Sequence, residues 1–77
     1  MTVEKIRASA IEVLIEYMGI GAEFVVDDAM DEVRKMITFE RDPKFFEMFF
    51  FVSLSKMLPP ELPFEKIKTA TLKALKP

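Results

Sequence analysis

Apolar residues recur at the three-and-four spacing of an α-helix over most of this chain, and no stretch alternates with period two for long enough to predict a strand. Between residues 3 and 18, Val3, Ile6, Ala10, Val13, Leu14 and Tyr17 fall on one face, with Ile11 and Met18 beside them. Lys5, Ser9, Glu12 and Glu16 share the opposite face, so the segment predicts an amphipathic helix packed on a core. Thr2 is placed to cap it and Glu4 to complement its first turn. Gly19 stands where a C-terminal glycine belongs, with Ile20 after it to supply the usual apolar contact.

A second helix is predicted over residues 25–37, with Val26, Ala29, Met30, Val33, Met36 and Ile37 facing inward. Asp27, Asp28, Asp31, Glu32, Arg34 and Lys35 face outward, acids before bases, in the order the helix dipole favours. Asp31 and Lys35 also have the spacing of an ion pair one turn apart. Phe24 would land on the acidic face if the helix began at Ala22. The helix is therefore expected to start after Phe24, with that ring folded back onto the core.

The third helix, expected over residues 43–58 with Asp42 as N-cap and Pro43 in its first position, departs from this two-sided pattern. Residues 45–52 read Phe-Phe-Glu-Met-Phe-Phe-Phe-Val and hold five of the eight phenylalanines. A helix apolar on nearly every side must be covered all round, by its own domain or by another molecule. Phe45, Phe49 and Val52 share one arc, and Phe46, Phe50, Ser53 and Met57 another; both are expected to pack on the other helices. Phe51, Leu54 and Leu58 are expected to form an exposed apolar stripe, completed by a second copy or another protein. The competing arrangement has the fourth helix cover that arc.

Pro59, Pro60 and Pro63 end the third helix and predict a stiff connection. The fourth helix follows over residues 64–76, with Phe64, Ile67, Thr71, Ala74 and Leu75 inward and Lys66, Thr69, Lys73 and Lys76 outward. Short loops imply that consecutive helices pack on one another. The predicted fold is thus all-α, one domain over residues 1–77: a compact bundle of four short helices with the Phe-rich third helix central.

Composition narrows the chemistry. With no cysteine there are no disulfides or thiolate metal sites, which fits a reducing cytoplasm. With no histidine the usual acid–base group near neutral pH is missing as well. Thiol proteases, histidine-dependent triads and most zinc enzymes are thereby excluded, and neither catalysis nor a metal or cofactor is expected. The third helix spans roughly 24 Å and carries Lys44, Glu47 and Lys56, so a soluble protein without a membrane span is expected.

Asp27-Asp28-Ala29-Met30-Asp31 resembles the aspartate-rich DDxxD motif of isoprenyl diphosphate synthases, in which helix-borne carboxylates hold magnesium and a diphosphate. That family also needs a large helical barrel and a second such motif, and this chain has neither. A solvated acidic face, available for docking a basic partner through Asp27, Asp28, Asp31 and Glu32, is the reading adopted. Residues 1–40 carry four basic and nine acidic side chains, a net of −5; residues 41–77 carry seven and four, a net of +3. Two copies meeting head to tail would match these charges. The lysine stripe Lys66, Lys73, Lys76 invites a nucleic-acid reading, which the acidic pI of about 5.1 and the lack of arginine in that stripe weaken. Pro60-Glu61-Leu62-Pro63 has the PxxP form but is expected to serve as a spacer between helices. The sequence therefore predicts a small non-catalytic interaction or adaptor protein, self-associating as a homodimer or binding another protein through Phe51, Leu54 and Leu58. The alternative is a small nucleic-acid-binding regulator.

Overall fold

The Phe-rich helix finds its cover by lying against the two helices that precede it, while the fourth helix leans elsewhere. The structure, a computed structural model, describes residues 2–36 and 43–76. Four helices account for them: α1 (Val3–Met18), α2 (Gly21–Met36), α3 (Pro43–Met57) and α4 (Phe64–Leu75), with no strand among the described residues. The all-α bundle predicted from periodicity is the observed fold. Its radius of gyration of 11.4 Å is that of a compact chain of this length.

Local signals explain most helix ends. The Thr2 side chain accepts a hydrogen bond from the Lys5 amide at 3.2 Å, and Thr2 has the extended backbone of an N-cap. Gly19 closes α1 with φ +64°, a left-handed conformation that favours glycine, and its N–H donates to the Ile15 carbonyl at 2.9 Å. The expected apolar contact from Ile20 is absent, since that residue is 86% exposed. Pro43 occupies the first position of α3. Its expected cap Asp42, like Ile37 and the rest of the segment 37–42, lies outside the described residues.

The start of α2 corrects the sequence reading. The helix begins at Gly21, four residues earlier than predicted, and buries Ala22 completely. Phe24 consequently projects outward and is 70% exposed, where it was expected to fold onto the core. Burying one extra alanine and completing a helical turn prevails over covering that ring.

Packing follows the α1 pattern closely. Ile6, Ala10 and Leu14 are buried, with Val3, Ile11, Val13 and Met18 packed around them; Tyr17, expected inward, is 43% exposed. α2 contributes Val26, Ala29, Met30 and Val33, whereas Met36 at its end is exposed. In α4, Ile67 and Thr71 are buried and Phe64, Leu72 and Leu75 half-buried; Ala74 faces solvent, contrary to expectation. The buried Thr71 hydroxyl donates to the Ile67 carbonyl at 2.8 Å and so enters the core without an orphan donor.

α3 supplies the two bulkiest buried side chains, Phe46 and Phe50, and the Phe50 and Phe51 rings meet tilted by 60° with centroids 5.4 Å apart. α1 also packs against each of the other three helices. α2 packs on α1 and α3, α4 packs on α1, and α3 and α4 do not pack closely along their length. Between them the chain passes through a turn in which the Leu62 amide donates to the Pro59 carbonyl at 3.1 Å.

This arrangement gives two neighbours on α3 opposite fates. Leu54→Ala is expected to cost about 2–5 kcal/mol, because Leu54 has no exposed surface, whereas Val52 is half-exposed. Val52→Ala should stay within about 1 kcal/mol of the parent. Urea denaturation of both variants, compared at constant slope, checks the assignment of arcs on α3.

Candidate functional site

The stripe predicted to be exposed is core. Phe51, Leu54 and Leu58 are all buried within the chain, so they are not available to a partner as an open surface. The solvent-facing arc of α3 is instead formed by Phe45, Met48 and Val52, each about half exposed, at the i, i+3, i+7 spacing of one helix face. Phe45 and Val52 had been placed against the other helices. The error has a simple cause: when a helix is apolar all round, periodicity does not say which arc the rest of the chain will cover.

This arc runs into an open groove of about 530 Å³ between α3 and α4. From α3 it is lined by Lys44, Glu47, Met48, Phe51, Val52 and Ser55. From α4 come Phe64, Lys68 and Leu72. The Lys68 ammonium stands 5.8 Å from the centroid of the Phe51 ring, within range of a cation–π contact. Phe51 therefore belongs to the groove wall after all, with its ring shielded by Lys68 and almost no exposed surface. The groove exists because α4 packs on α1 and not along the outer side of α3.

The acidic face of α2 is engaged within the chain. Arg7 of α1 donates from Nε to Asp27 Oδ1 at 2.7 Å and from Nη2 to Oδ2 at 3.2 Å, a bidentate pair that also reaches Glu23 Oε1 at 3.2 Å. This cross-helix pair is a polar link between α1 and α2 that sequence reasoning missed; Asp27 was taken as solvent-facing and Arg7 was assigned to no face. Asp31 pairs with Arg34 at 3.4 Å, where Lys35 had been expected. Glu32, placed outward by its wheel position, is half-buried and accepts a hydrogen bond from the buried Ser53 hydroxyl of α3 at 2.5 Å. Asp28 remains on the exposed face. Among the described residues no group of three acidic side chains is placed to hold a metal ion, and Asp27 faces Arg7.

Lys66, Lys73 and Lys76 are exposed at α4 and its end, as predicted. Lys66 and Lys73 share their shallow surface with Thr69, Ala70 and the carboxylate of Glu65. No helix among the described residues is long and apolar enough to cross a membrane. Compared with protein-family models, curated proteins and solved structures, the chain matches none.

The Arg7 pair makes a pH prediction. The hydrogen bond from Arg7 holds the Asp27 carboxyl below its ordinary value of 3.8, against the opposing effect of partial burial. A depressed carboxylate pKa stabilises the fold above the unfolded value and loses that contribution as pH falls through the folded value. Both side chains are more than a third exposed, so Asp27→Asn should cost no more than about 1 kcal/mol near neutral pH. The gap in urea midpoint between variant and parent should close as the pH falls below about 4; a gap that persists there would mean the pair contributes through packing instead of charge.

Proposed function

We propose that the chain is a small, non-catalytic protein-interaction domain that takes an apolar segment of a protein between α3 and α4. The observation that carries this reading is the continuity of the Phe45, Met48 and Val52 arc with the groove beside it. Neighbouring water-exposed apolar side chains gain free energy when covered, which supports a binding role for this face. The groove's mixed lining, apolar walls with Lys44, Glu47 and Lys68 among them, is the composition that orients a partner while burying its side chains.

The absence of histidine and cysteine supports the non-catalytic part of the reading. Among the described residues the carboxyl group with a clearly shifted pKa is Asp27, whose oxygens are committed to Arg7. A nucleic-acid reading of Lys66, Lys73 and Lys76 draws less support, since Glu65 lies among the first two and the chain as a whole carries a net charge of −2.

A photo-crosslinking residue placed at Met48 should yield a discrete crosslinked species with a protein, itself or another, while the same residue at Glu12 on the far side of α1 should not. Met48→Asp variants carrying the crosslinker at Val52 should lose that product. Equal crosslinking from Glu12 and Met48, or none from either, would refute the groove as a binding site.

A further inference from the structure

Phe24 is the surface feature that the fold leaves without a role. It stands 70% exposed on the outer face of α2, one turn after Ile20, which is 86% exposed, and one turn before the exposed carboxylate of Asp28. Residues four apart are neighbours on a helix surface, so Ile20, Phe24 and Asp28 form one exposed strip, and an amphipathic helix laid into an apolar groove is a recurring mode of recognition. The groove between α3 and α4 is such a cleft. Met48, Val52, Phe64 and Leu72 form its apolar sides, and the Lys68 ammonium stands over Phe51.

We infer that the occupant of the groove is the outer face of α2 from a second copy of this chain, with Phe24 inserted between α3 and α4 and Asp28 facing Lys68. This deepens the proposed function and rests on it. Charge favours the pairing: residues 1–40 are net −5 and residues 41–77 net +3, so the donating surface lies in the acidic part of the chain and the accepting one in the basic part. Size agrees as well. An aromatic side chain buries about 150–250 Å² when covered, and a groove of about 530 Å³ accommodates one ring with the neighbouring turn of helix. Knob and groove sit on different helices, so every copy carries one of each. The contact is therefore either reciprocal in a closed dimer or repeated from copy to copy.

That division of labour allows a complementation test. Phe24→Glu removes the knob and Met48→Glu blocks the groove; both positions are exposed, and circular dichroism checks that each variant keeps the parent's helicity. Light scattering after size exclusion, over a hundredfold range of concentration, should show the parent associating. Each variant alone should lose more than about tenfold in association constant. The equimolar mixture should regain a one-to-one complex, because the intact Phe24 of one variant meets the intact groove of the other. A mixture no more associated than its components overturns the inference, as does a Phe24→Glu variant that associates like the parent. A parent that stays monomeric throughout also overturns it, but the groove reading then survives if Met48 crosslinks to a different protein and fails if it crosslinks to nothing.

Discussion

The burial of the Phe46, Phe50 and Leu54 side chains of α3 is the constraint on which the rest of this molecule depends. A chain of this size builds one core, and five of its eight phenylalanines lie on a single helix. α1 and α2 bring small and branched residues, Ala10, Ala29 and Val33 among them, into the same core as those rings. Small residues on the covering helices let bulky rings enter without voids, as close packing of interiors requires. The polar groups drawn into this region are satisfied locally: Ser53 donates to Glu32, and Thr71 to its own helix.

Among the described residues, α1 and α2 cover one side of α3. α4 packs on α1, and the outer arc of α3 is left to solvent with a groove beside it. The candidate site is thus a by-product of how the core was closed. The same economy operates at α2, where extending the helix to Gly21 buries Ala22 at the cost of exposing Phe24. Two uncovered apolar surfaces result, and the proposed second copy of the chain would cover both.

Much of the fold was legible in the residue pattern because α1, α2 and α4 are two-sided. Ile6, Ala10 and Leu14 repeat at four-residue intervals, and Thr2 and Gly19 mark the ends of their helix by capping chemistry that is local and therefore readable. The site was not legible for the opposite reason. With phenylalanines at positions 45, 46, 49, 50 and 51, α3 offers only Lys44, Glu47, Ser53, Ser55 and Lys56, spread around the wheel, as polar markers from which to infer the buried arc. Its inner arc was decided by α1 and α2 in three dimensions. The Arg7–Asp27 pair and the turn of Glu32 toward Ser53 are likewise tertiary events between residues about twenty positions apart. Wheel positions placed Asp27 and Glu32 toward solvent and Ser53 toward the other helices.

The central claim is that α3 buries one arc in its own core and leaves the Met48 arc open until another copy covers it. The methionine methyl groups test this directly, since Met30 is fully buried in α2 and Met48 lies on the open arc. Methyl NMR with a soluble paramagnetic probe, recorded at increasing protein concentration, reads the accessibility of both at once. The account predicts strong attenuation of Met48 in dilute solution that fades as concentration rises, with Met30 protected throughout. A Met48 signal as protected as Met30 in dilute solution, or equally attenuated at every concentration, would contradict it.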